Sequence, residues 1–172
     1  MSGSTLAEFA ERAAGVGRLE LVQGFFTADG GLTAGATRAQ LEAGFAWACE
    51  YGRSSVIDFL LRHGMAVDAP LKHHGQTGLH WAAFGGYVQS VRLLLARQAP
   101  VDVKDPSFGS PPLGWALEGW RGRPDGTAGG HYPEVVALLV ASGATVEPGL
   151  LADEAVRADL ALLAALHGEG PR

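Results

Sequence analysis

Three tryptophans, Trp47, Trp81 and Trp115, stand 34 residues apart, and each heads the same pattern. The middle copy is the fullest. It reads Gly75-Gln76-Thr77-Gly78-Leu79-His80-Trp81-Ala82-Ala83-Phe84-Gly85-Gly86-Tyr87, continues through Val91, Leu93, Leu94 and Leu95, and closes on Val101-Asp102. A fixed period in the mid-thirties marks stacked supersecondary units, because one unit of that length cannot bury its own apolar face. Such an array is predicted to present an extended binding surface rather than a closed catalytic pocket.

Two other copies align with the middle one. The first runs from Phe45 through Trp47, Ala48, Cys49, Glu50, Tyr51 and Gly52 to Ile57, Leu60, Leu61, Gly64, Val67 and Asp68. The third runs from Leu113 through Trp115, Ala116, Leu117, Glu118 and Gly119, and resumes at Tyr132, Val136, Leu138, Leu139, Gly143, Ala144 and Val146. Each copy holds two apolar periodic stretches split by a glycine-containing turn, the pattern of two antiparallel helices. Ile57/Leu60/Leu61 and Val91/Leu94/Leu95 place one apolar stripe on each second helix. Weaker flanking units are read at Phe9–Ala14 with Arg18–Phe26, and at Leu150–Val156 with Asp159–Leu166. End units diverge because one of their faces meets water.

The expected fold is therefore an all-α helical repeat solenoid of about five helix pairs with divergent terminal caps, in one domain spanning residues 1–172. The units fall at about 5–36, 37–70, 71–104, 105–147 and 148–167, with a tail at 168–172. A 47% apolar composition excludes wholesale disorder, and no apolar run approaches the ~20 residues of a membrane span. A net charge of −5 argues against sequence-independent nucleic-acid binding, which rests on phosphate neutralisation. Cys49 stands alone and Met1–Glu11 lacks the form of a secretory signal, so a cytoplasmic monomer is expected. The abundance of alanine and glycine suggests a bacterial source.

Thr77-Gly78-Leu79-His80-Trp81-Ala82 resembles the ankyrin repeat signature Thr-Pro-Leu-His-x-Ala, with Gly78 in place of proline. Pro111-Pro112-Leu113-Gly114-Trp115-Ala116 keeps the Pro-Leu-x-x-Ala frame without the threonine and histidine. The resemblance covers about residues 5 to 167. It implies β-turn fingers between successive helix pairs, here about Ala69–Gln76 and Val103–Ser110. It also implies that fingers and first helices form a concave groove that binds other proteins. His80 is then structural, hydrogen-bonded to Thr77 and between loops.

The partner-facing residues expected from this arrangement are Trp47, Glu50, Tyr51, Lys72, His73, Gln76, Trp81, Phe84, Phe108, Ser110, Trp115 and Glu118. The tryptophans have two readings, an inter-unit aromatic core or part of the groove. The positions three and four beyond each of them (Glu50/Tyr51, Phe84/Gly85, Glu118/Gly119) are implied to face the groove. They interleave aromatic and acidic groups, which favours a partner protein with a basic segment. Between Tyr87 and Tyr132 the spacing is 45 rather than 34, so about 11 residues near 121–131 are inserted. This insertion is either a tolerated loop or a second contact site using Trp120, Arg121 and Arg123.

No nucleotide-binding loop, nucleophile elbow or zinc-site spacing occurs, and no cofactor is expected. The rival reading is an enzyme or metal-binding protein with a site grafted near His73, His74, His80 or His131. The reading preferred is a non-catalytic protein-interaction module.

Overall fold

The computed structural model describes residues 12–71, 75–122 and 131–169. Residues 12–15 are helical and are followed by α1 (Leu19–Gln23). Three helix pairs come next: α2 (Arg38–Glu50) with α3 (Ser54–Arg62), α4 (Gly78–Phe84) with α5 (Val88–Ala96), and α6 (Pro112–Arg121) with α7 (Tyr132–Ala141). Three short helices close the array: α8 (Pro148–Ala152), α9 (Glu154–Ala158) and α10 (Leu160–Leu166). Among the described residues the only strand-like pairing is an isolated bridge between Phe26 and Leu32.

Local chemistry starts each first helix. Thr37 caps α2 in a reciprocal box: its backbone N–H donates to Gln40 Oε1 at 2.7 Å, and Gln40 N–H donates to Thr37 Oγ1 at 3.3 Å. Thr77 and His80 form the same box at α4. At α6 the device changes to Pro112 in the first turn, where a proline loses no helical hydrogen bond. The second helices stop at a left-handed residue: Gly64, Gln98 and Gly143 have φ of +82°, +63° and +97°. Gln98 fills a glycine's role, which the residue type alone did not indicate.

The first helices form one row, α2 against α4 and α4 against α6, and α3, α5 and α7 form a second row behind them. Ala48, Ala82 and Ala116 are fully buried between units, so their small size sets the close approach. Ile57, Leu60, Val91 and Leu94 are buried on the second helices, with Leu61 and Leu95 half-buried at the margin.

The ends depart from the sequence expectation. A single helix over Leu150–Val156 was expected, but Asp153 interrupts it. The Asp153 carboxylate accepts from Ala155 N–H at 2.9 Å and Val156 N–H at 3.1 Å, starting a new helix. Asp159 does the same for α10 through Ala161 and Leu162. At the other end α1 stops at Gln23 rather than running to Phe26. Phe25 is still buried, and its carbonyl accepts from Thr33 N–H at 3.0 Å.

The inserted residues 123–130 lie outside the described residues. Beyond them the chain is pinned at the level of the preceding unit: His131 N–H donates to the Gly86 carbonyl at 3.2 Å, and the Tyr132 hydroxyl donates to the Phe84 carbonyl at 3.1 Å.

Candidate functional site

The finger between α5 and α6 is built around one carboxylate. Asp105 is 1% exposed and accepts from Ser107 N–H at 2.9 Å, Phe108 N–H at 2.8 Å and Ser110 N–H at 3.1 Å. It also accepts from the Trp115 indole N–H at 3.0 Å, which ties the finger to the first turn of α6. The backbone closes the same loop: Asp105 N–H donates to the Ser110 carbonyl at 3.1 Å, and Gly109 N–H donates to the Asp105 carbonyl at 2.9 Å. Burial pushes the Asp105 pKa up, but the Trp115, Phe108, Ser110 and Ser107 donors outweigh it and hold the carboxyl below its ordinary value.

His80 joins this finger to the neighbouring helix. Thr77 N–H donates to His80 Nδ1 at 3.1 Å, so Nδ1 is the acceptor and the ring proton sits on Nε2. Nε2 then donates to the Ser110 carbonyl at 3.2 Å. Burial lowers the His80 pKa against the opposing pull of the Ser110 carbonyl and the Asp105 charge, which favours the neutral ring that these hydrogen bonds require. Both nitrogens are hydrogen-bonded within the fold, Nδ1 at the start of α4 and Nε2 to the following finger, as the motif implied.

Around this scaffold lies an aromatic groove. Trp81 and Phe84 come from α4, Trp115 and Glu118 from α6, and Phe108 and Ser110 from the finger; Arg121 and Leu150 complete its far end, and its volume is about 560 Å³. Trp115 is the hub. Its ring meets Trp81 at 5.3 Å and 67°, Phe84 at 5.8 Å and 72°, and Phe108 at 6.1 Å and 65° between centroids and planes. These are edge-to-face contacts of the kind that quadrupole electrostatics favours. Phe108 is 77% exposed. Glu118 is also exposed, while Trp81, Phe84, Ser110 and Trp115 are half-buried.

Trp47 does not join the other two tryptophans. It stacks on Tyr51 at 5.5 Å and 11°, one helical turn away, and the pair is partly exposed with Glu50 on the same helix. Gly15 packs beside this pair, where a Cβ would make ordinary contact with Trp47 Cε3 at 3.4 Å.

Several residues occupy other places than expected. Gln76 is 1% exposed, buried at the base of the preceding finger, where its carbonyl accepts from Leu71 N–H at 2.8 Å. Gly85 and Gly119 are buried; a Cβ on Gly119 would meet the Phe84 carbonyl oxygen at 2.1 Å, so this glycine is where α6 closes on α4 instead of a groove position. Trp120 and Arg121 turn toward the terminal helices. Trp120 Nε1–H donates to Asp159 at 3.2 Å, and Arg121 donates to Asp153 at 2.7 Å. Lys72, His73, His74 and Arg123 lie outside the described residues. His131 is exposed at the start of α7. Asp105, which organises the site, was not singled out from sequence.

Among the described residues, no group of three or more His, Cys, Asp or Glu side chains is placed to hold a metal ion. Burial pushes the Cys49 thiol far above its ordinary value, which suppresses the reactive thiolate. No described helix is long and apolar enough to cross a membrane.

A family model described as ankyrin repeats (3 copies) matches residues 11–105 and 45–150. The chain belongs to the ankyrin repeat family. Ankyrin repeats generally mediate protein–protein interaction, and the family is typically non-enzymatic. No curated relative matches the chain. In this ankyrin repeat protein the Thr77–His80 pair ties α4 to the following finger, and the aromatic groove lies where that finger meets α4 and α6.

Proposed function

We propose that this ankyrin repeat protein is a non-catalytic docking module that takes a segment of another protein across the face made by its first helices and fingers. The observation that supports this reading is Phe108: a large apolar ring, mostly exposed, on a finger whose every turn is fastened to Asp105. Holding such a ring in water is unfavourable, and a rigid mount lowers the ordering cost of binding, the pattern of an interface hot spot. A groove of aromatic rings with Glu118 at its edge, and a second aromatic pair beside Glu50, favours a segment carrying basic side chains. The array acts in this reading as one domain and as a monomer.

A display library of random peptides tests the proposal without knowledge of the natural partner. Wild type is expected to select peptides enriched in basic residues. Phe84→Ala and Glu118→Lys are expected to lose them while still melting cooperatively, Glu118→Lys near the wild-type temperature and Phe84→Ala somewhat below it because its ring packs on Trp81 and Trp115. Selection of no peptide, or of peptides held equally by both folded variants, would remove the groove from the function.

A further inference from the structure

The charge around the aromatic groove narrows the kind of side chain it takes. Arg121 is the one cation lining it among the described residues, and its Nη2 sits 2.7 Å from Asp153. Its other terminal nitrogen is 4.0 Å from Glu118, at the outer limit of an ion pair, and the Glu118 side chain remains 72% exposed. Asp153 thus holds the local cation away and leaves Glu118 presented. Asp105 is buried within the finger and committed to four N–H donors, so with Arg121 drawn to Asp153 the exposed Glu118 is the lining charge left for a ligand.

We infer that this groove seats an arginine side chain of the partner protein, its guanidinium stacked among Trp81, Phe84, Phe108 and Trp115 and its edge bonded to Glu118; this rests on the docking reading above. Arginine fits better than lysine for a physical reason. The guanidinium is planar and weakly hydrated, so it can lie on an aromatic face while its edge donates two parallel hydrogen bonds to one carboxylate. An ammonium is a strongly hydrated point charge and loses more by leaving water. The remaining volume of the groove, about 560 Å³ in all, admits the residues on either side of the arginine.

The test uses three acetylated, amidated peptides of five residues, alike except for a central arginine, lysine or citrulline. Citrulline has arginine's shape without its charge. Each is titrated into the full chain while the indole N–H resonances of Trp81 and Trp115 are followed by NMR. The arginine peptide is expected to shift both indoles, with citrulline about tenfold weaker or more. Glu118→Gln is expected to weaken the arginine peptide about tenfold and Phe108→Ala severalfold. Both positions are exposed, and unchanged thermal melts show that the variants are folded. Citrulline binding as well as arginine, or Glu118→Gln binding as well as wild type, overturns the assignment. Lysine equal to arginine overturns the choice of arginine and leaves docking of a basic segment standing. If no peptide moves the indoles although display-selected peptides still bind, the seat fails and the docking reading survives; if those also fail, both fall.

Discussion

Gly78 occupies the signature position where the following unit has Pro112, and its neighbour explains the exchange. A Cβ on Gly78 would lie 2.8 Å from Cys49 Sγ and 3.4 Å from Phe45 Cε1. One period later the residue matching Cys49 is Ala83, which has no sulfur to collide with the proline ring. Cysteine with glycine, and alanine with proline, are two ways of filling the same junction. Gly78→Ala should therefore cost about 1–3 kcal/mol in the native background, as overpacking does. In a Cys49→Ala background most of that cost should vanish, giving a coupling of about 1 kcal/mol or more. Urea midpoints of the four proteins measure this, and additive effects would refute the steric account. The departure from the signature was legible in the sequence. Its cause was not, because it lies in a contact between residues far apart in the chain. Gln98 has the same lesson: its left-handed backbone is dictated by its place after α5, where side-chain identity predicts an ordinary conformation.

At the scale of elements, the finger between α5 and α6 is a hydrogen-bonded unit whose integrity depends on two protonation states. His80 has a folded pKa below its ordinary value of 6.5, so below that pH the unfolded chain binds the extra proton more readily. Its contribution to stability is complete above about 6.5 and is lost as pH falls toward the folded pKa. Asp105 acts in the same direction over a lower window. Its contribution is complete above the ordinary 3.8 and declines as pH falls toward its depressed folded value. The expected result is a first loss of stability beginning below pH 6.5 and a second beginning below pH 3.8. His80→Gln isolates the first. Gln40 already performs this capping role at α2 and does not titrate, so the variant should flatten the profile between about pH 6.5 and 5. Urea midpoints across that range decide it, and an unchanged slope would show that His80 is not responsible. The Thr77–His80 half of this unit was legible through the resemblance of Thr77–Ala82 to the ankyrin signature, which implies that pairing. Asp105-Pro106-Ser107 and Gly109 do announce a turn by their chemistry. Nothing local announces that Asp105 also receives the Trp115 indole, which depends on how α6 enters. The contacts of Trp120 and Arg121 were hidden for a similar reason: their partners Asp159 and Asp153 belong to terminal helices that the sequence pattern joined differently.

For the whole molecule, the period told that neighbouring units share a core, and the helix rows follow that plan. In such an array each unit depends on those beside it. The terminal helices bury Val156, Leu162, Ala165 and Leu166, and α10 packs on α7. Through Asp153 and Asp159 they also hold the end of α6. Truncation after Glu147 should accordingly act locally. Hydrogen exchange in α6 and α7 is expected to rise by about tenfold or more, the consequence of losing an interface worth more than about 1.4 kcal/mol, while α2 and α3 keep their protection. The same cut releases Arg121 from Asp153, on the same helix face as Glu118 and one turn beyond it. Arg121 can then approach Glu118 and neutralise it. The truncated chain should bind basic peptides more weakly than wild type, and Arg121→Ala within the truncation should restore part of the binding. Peptide titrations read beside exchange mass spectrometry separate the two effects. Protection lost equally in every helix would mean that the array unfolds as one unit, and the local account of both the cap and the groove charge would then be wrong.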